Sequence, residues 1–170
     1  MSAHPSEKDI YEDYRQYLLL VGDIATHYAT FEHLIDQTIW LLAGMERRKG
    51  ACVTAQLMSI QTKFRVIVAL MHELKATEPL HNAAKQLSKD AQKTSLFRNK
   101  YIHSPMSLAV VKGKLVPIRR HTGVDVTLKD ELVPYDREEM LATSARCQEL
   151  KNRAIILQAD MEKHLESLVD

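Results

Sequence analysis

From Ile10 to Leu42 apolar side chains return at helical intervals, with no proline and only Gly22 to interrupt them. Tyr14, Val21, Tyr28, Ile35 and Leu42 recur every seven residues, and Tyr17, Leu18, Ile24, Ala25, Phe31 and Ile39 fill the alternate positions. A strand needs a period of two, so this stretch is incompatible with a sheet and predicts one long helix carrying a coiled-coil-like seam. Gly44 is the expected stop. So long an amphipathic rod must lay its stripe against other helices, which makes the chain all-α in outline.

The remaining segments supply those helices. "ERRKGACVT" reads as a polar connection, and Ser59 is placed to cap a helix running through Leu74. Within that helix "FRVIVALM" is apolar on nearly every face, which predicts a central, buried position. A third helix opens around Glu78-Pro79, with proline near the first helical position, and carries Leu80, Ala84, Leu87, Ala91 and Thr94 on one stripe. It ends near His103, since Pro105 biases Ser104 away from helical angles.

The period then changes. "SLAVVKGKLVPIRR" holds two short β-rich runs around Lys112-Gly113-Lys114, and "GVDVTLKDELV" offers a third, so a small hairpin or meander over about 107–133 is expected before the last helix. Asp136 and Glu139 have the spacing of a capping box. Behind them Met140, Cys147, Ala154, Met161 and Leu168 repeat every seven, with Leu150, Leu157 and Leu165 between. The sequence therefore predicts a single domain over residues 1–170, a bundle of four main helices with a β insertion.

Composition narrows the class. At 170 residues, 45% hydrophobic and 26% charged, the chain has an ordinary globular balance. No run approaches the roughly 18 apolar residues of a spanning helix and the N-terminus lacks an apolar signal core, so a cytoplasmic protein without a membrane partner is expected. Cys52 and Cys147 have no redox or metal spacing and read as reduced, buried thiols. The net charge of +1 conceals an asymmetry: nine lysines and arginines lie between Lys85 and Arg120, against Asp90 alone. The rest of the chain is acidic on balance. A concentrated positive segment of this kind predicts a polyanion site, with Lys93, Lys100, Lys112, Lys114, Arg119 and Arg120 as candidate RNA contacts. A solvated basic helix face is the plainer reading of the same residues.

The end of the third helix, "LFRNKYIHSP", is where chemistry is concentrated. Counting from Leu87 at 100° per residue, Arg98 falls about 20° from the centre of the apolar stripe. A guanidinium cannot discharge itself by losing a proton, so a stripe position demands an acidic partner or an anionic ligand. Asn99 and His103 are four apart and share another face. An imidazole can take a proton from a ribose 2′-hydroxyl or return one to a leaving oxygen, and a guanidinium can stabilise charge on the phosphoryl oxygens. That reaction needs no metal. The structural alternative pairs Arg98 with a core acid and leaves His103 capping the helix C-terminus.

Arg98-Asn-Lys-Tyr-Ile-His103 resembles the Arg-x4–6-His motif of the HEPN superfamily, placed as in that family at the end of a bundle helix ahead of a last long helix. The likeness covers nearly the whole chain in expected architecture and about six residues in motif. It implies a metal-independent endoribonuclease, homodimeric, with two motifs facing one cleft, in a defence or toxin–antitoxin setting. Carried over, Arg98 and His103 are catalytic and Asn99 is the accompanying polar residue, with Tyr101 in a supporting place. RNA is the implied substrate and a protein antitoxin or inhibitor an implied partner. Many toxin members carry tyrosine two residues after the histidine, where this chain has Pro105, which speaks against an antitoxin that modifies that tyrosine. HEPN members that serve as scaffolds imply the rival reading: a non-catalytic helical dimer that binds RNA or a protein.

Glu32, beside Phe31 and Ile35 on the first helix, is a candidate to balance Arg98 or orient His103; a glutamate that simply reaches solvent explains it equally. Glu78-x-x-His81 has the spacing of di-iron bundles, but no second such pair exists in the sequence, so neither a metal nor another cofactor is expected.

Overall fold

The heptad pattern of the first helix stops at a left-handed glycine. Gly44, with φ +59, turns the chain so that Met45 N–H reaches the Trp40 carbonyl at 2.8 Å and Gly44 N–H reaches that of Leu41 at 3.1 Å. These are the two bonds of a Schellman stop. The computed structural model describes residues 7–103, 106–111, 114–124, 128–134 and 136–168, and of the strand side chains only that of Ile118. Among the described residues run five helices and three strands. In chain order they are α1 (Glu7–Leu42), α2 (Arg47–Thr54), α3 (Ile60–Glu73), α4 (Glu78–Ile102), β1 (Met106–Val111), β2 (Lys114–Val124), β3 (Leu128–Pro134) and α5 (Arg137–Glu166).

The residues group into two compact units, one of Met1–Ala25 with Leu96–Ala145 and one of Thr26–Ser95 with Arg146–Asp170. The second unit is helical throughout. Its buried residues follow the expected seams: Tyr28, Phe31, Ile35 and Ile39 from α1, and Cys147, Leu150, Ala154, Leu157 and Met161 from α5. From α4 it buries Ala84, Leu87 and Ala91. Ser59 caps α3 by accepting the Thr62 N–H at 3.1 Å. Only one face of α3 is buried, through Phe64, Ile67 and Met71, while Arg65 and Ala69 are exposed. The apolar run is therefore not a central helix: one stripe is enough to hold it, and the other face stays open. Lys63 on its flank meets Asp36 at 2.7 Å.

The polar connection of the sequence is in fact the helix α2. Its Gly50 lies under the Trp40 ring, and Trp40 Nε1 donates to Thr54 Oγ1 at 3.2 Å. Thr54 Oγ1 in turn donates to the Gly50 carbonyl at 3.1 Å. A tryptophan 14 residues away holds these eight residues in a helix that their own propensities do not predict. Cys52 is exposed on it, contrary to the expected buried thiol, while Cys147 is buried; both are free. Two further seam positions also face outward: Leu18 is 50% exposed and Leu168 51%. A seam longer than its local partners leaves its outermost residues uncovered.

In the first unit β1, β2 and β3 form an antiparallel sheet in sequence order. Val111 faces Lys114 at one end of the β1–β2 ladder, and Val124 faces Leu128 at one end of the β2–β3 ladder. The two ladders overlap only at Ile118 and Arg119 of β2. Pro117 sits just outside that overlap, paired to Leu108 alone, so its missing N–H costs the central strand no bond to β3. Ile118 is buried. Among the described residues Tyr17, Ile24, Tyr101, Met140, Thr143 and Ser144 are the other buried members of this unit.

Candidate functional site

The apolar stripe of α4 runs Ala84, Leu87, Ala91, Thr94 and on to Tyr101, all buried, and Arg98 occupies the place between the last two. Its side chain is half-buried and donates from Nη1 to Asn99 Oδ1 at 2.7 Å. The two adjacent motif residues are thus joined side chain to side chain. Asn99 is exposed, and so is His103, whose N–H reaches the Asn99 carbonyl at 3.2 Å in the closing turn of the helix.

A tighter cluster stands beside this motif. Glu139 Oε2 accepts from both Lys100 Nζ and the Tyr101 hydroxyl, binding the last turn of α4 to the first turn of α5. The Lys100 ammonium also lies 5.5 Å from the centre of the Tyr101 ring. At the helix start Asp136 Oδ1 accepts the Glu139 N–H at 3.0 Å, so half of the expected capping box is present. The Glu139 carboxylate, through Oε2, turns to α4. Glu139 is the participant that sequence reasoning missed, because a cap-position acid and a bridging acid have the same sequence signature.

Lys100, expected to contact RNA, therefore carries a carboxylate on its ammonium. Lys93 is exposed and its charge helps, as a minor contribution, to hold the Asp90 carboxyl below its ordinary range. The main cause there is the hydrogen bond from Arg153, at 2.8 Å; burial opposes it, and Gln86 adds to it. The single acid of the basic segment is thereby neutralised by a base from α5. Lys114, Arg119 and Arg120 lie on β2, with Arg119 paired to both neighbouring strands; their side chains, like Lys112 and Pro105 altogether, lie outside the described residues. Glu32 is half-buried on α1, in the second unit, whereas Arg98, Asn99, Lys100, Tyr101, His103 and Glu139 all belong to the first.

Among the described residues no group of three His, Cys, Asp or Glu side chains is placed to hold a metal ion. Among the described residues no helix is long and apolar enough to cross a membrane. Comparison with protein-family models, with curated proteins and with solved structures found no match.

Proposed function

We propose that this chain is a HEPN-type endoribonuclease that cuts RNA through the ribose 2′-hydroxyl, acting as a homodimer in a defence or toxin–antitoxin role. The observation that carries the reading is the Arg98–Asn99 bond on a helix whose next turn ends in an exposed histidine. A half-buried guanidinium joined to Asn99 is suited to a phosphate, which it can clamp with two parallel bonds. An exposed imidazole is accessible to substrate, which a core histidine is not.

In the proposed step one His103 accepts the 2′-hydroxyl proton while O2′ attacks phosphorus. The bond from phosphorus to O5′ breaks, and the leaving oxygen takes a proton from the His103 of the second copy. Arg98 meets the charge on the non-bridging oxygens. The products are a 2′,3′-cyclic phosphate and a 5′-hydroxyl, with two proton transfers, one onto the first histidine and one from the second, and no redox change. Nothing in the step requires a metal or another cofactor. A protein antitoxin or inhibitor is the corresponding partner, and the cytoplasm the corresponding place.

The rival is a non-catalytic dimer, and one observation favours an interaction role in either case. Tyr11, Leu18 and Leu19 on α1 are 50% or more exposed, and Ile155 and Ile156 on α5 nearly so or more. Single-turnover cleavage of a mixed RNA panel separates the two. His103→Ala and Arg98→Ala should each lower the rate by about 10²–10⁴-fold while leaving the circular dichroism unchanged. Cutting should survive chelators and spare DNA, which lacks the 2′-hydroxyl. An intact wild-type protein that cuts no RNA in the panel overturns the nuclease and leaves the scaffold.

A further inference from the structure

A groove of about 720 Å³ lies between α3 and α4, within the second unit and built from none of the motif residues. Its two banks are regular. On α3 the lining residues fall at 61, 64, 65, 68, 69 and 72, and on α4 at 85, 88, 89 and 92, so each bank is one helical face with three- and four-residue steps. The α3 bank spans about 16 Å at 1.5 Å per residue, three turns of helix.

Charge and polarity are sorted across it. Phe64, Val68 and Ala69 make an apolar floor, and Arg65, Lys85 and Lys89 stand exposed along the edges, with His72 at one end. No aspartate or glutamate lines the groove. Three permanent cations and no acid leave the rim of the groove net positive, which favours an anionic partner over a basic one. Val68 and Ala69, which the buried stripe of α3 leaves partly or wholly uncovered, are the accessible part of this floor.

Single-stranded RNA does not fit the floor. Sites for it offer exposed aromatic faces on which bases stack. On the floor the one aromatic ring, Phe64, is 2% exposed and stacks instead on Phe31, with ring centres 6.4 Å apart, and the exposed His72 imidazole stands at one end of the groove, off the floor. Beside Phe64 the floor offers a valine and an alanine, with Ser88 opposite: room for the aliphatic knobs of another helix.

We infer that this groove is a docking site for an acidic amphipathic helix of a partner protein, about three turns long. Leucines or isoleucines at three- and four-residue spacing enter between α3 and α4, and flanking glutamates meet Arg65, Lys85 and Lys89. This is the helix-in-groove mode of recognition, with the partner chosen by its charge. The site stands whether or not the chain cuts RNA.

The probe is a labelled 14-residue peptide with a leucine stripe flanked by glutamates, added to the full-length protein and followed by fluorescence anisotropy. A second peptide carries lysine in place of every glutamate, and a uridine dodecamer serves as the RNA control. Wild type should bind the acidic peptide at least about tenfold more tightly than the basic one. Lys85→Glu with Lys89→Glu should reverse that preference, a gain of binding that no unfolded variant can produce. Ala69→Trp, at an exposed position, should block both peptides by filling the floor. Equal binding of the two peptides, no binding of the acidic peptide, or indifference to Ala69→Trp overturns the proposal. So does tighter binding of the dodecamer that Lys85→Glu with Lys89→Glu abolishes, which would make the groove an RNA path, or self-association that Ala69→Trp abolishes, which would assign it to a second copy.

Discussion

At the scale of single residues, close approach and charge pairing carry the clearest consequences. A Cβ added at Gly50 would meet the Trp40 ring at 2.4 Å, and a rigid, 8%-exposed indole has little room to retreat. Gly50→Ala should therefore destabilise the fold by about 1–3 kcal/mol despite alanine's better helix propensity, read as a lower urea midpoint with an unchanged slope. Asp90 makes the opposite kind of prediction, one about pH. Its carboxyl is held below the ordinary value, so its ionised form is favoured in the folded state. That contribution is present above the unfolded pKa of about 4 and is lost as pH falls through the lower folded value. Both partners are about one-third exposed, so the amount is small, about 0.5–1 kcal/mol. Asp90→Asn should lower stability at pH 7 by that amount, and in thermal melts the difference from wild type should vanish as pH falls below the folded value.

Between elements, one side chain does what a cap alone does not. Glu139 joins α4 to α5 through Lys100 and Tyr101, and Tyr101 is buried while Lys100 and Glu139 are 34% and 23% exposed at their side chains. Removing the carboxylate takes an acceptor from a buried hydroxyl, so Glu139→Ala should cost about 1–3 kcal/mol. Tyr101→Phe in the same background should then add little. A double-mutant cycle by urea denaturation should give a coupling of about 0.5–3 kcal/mol, and strict additivity would show that the contact is incidental. Asp136→Ala, which removes only the cap, should cost about 1 kcal/mol without that coupling.

For the whole molecule the question is what meets its uncovered apolar residues. Tyr11 is 73% exposed, Leu19 58% and Ile156 59%, the last two off the heptad seams of α1 and α5, and the seam residue Leu18 is 50% exposed. Exposed apolar residues grouped in this way on α1 are ordinarily covered by a second copy in a closed two-fold arrangement. Light scattering should give twice the mass of the 170-residue chain at micromolar concentration, and Leu18→Glu with Leu19→Glu should return it to a monomer. A wild-type monomer would remove both the dimer and the proposed transfer of a proton from a second histidine.

What the sequence determined by itself is local and periodic. The long first helix, the Ser59 cap, the stripe of α4 through Arg98 and the seam of α5 all rest on spacing and on side chains bonding their own turn, and both survive in isolation from the rest of the chain. The tertiary structure decided what depends on distant partners. α2 is helical because Trp40 covers Gly50 and bonds Thr54. Half of α3 is bare because burial depends on what stands opposite, which an apolar run does not specify. At the candidate site the sequence placed Arg98 on the stripe. Glu139 was beyond its reach, since a glutamate at the third position of a helix can bond its own cap or another helix, and only packing sets α4 against it.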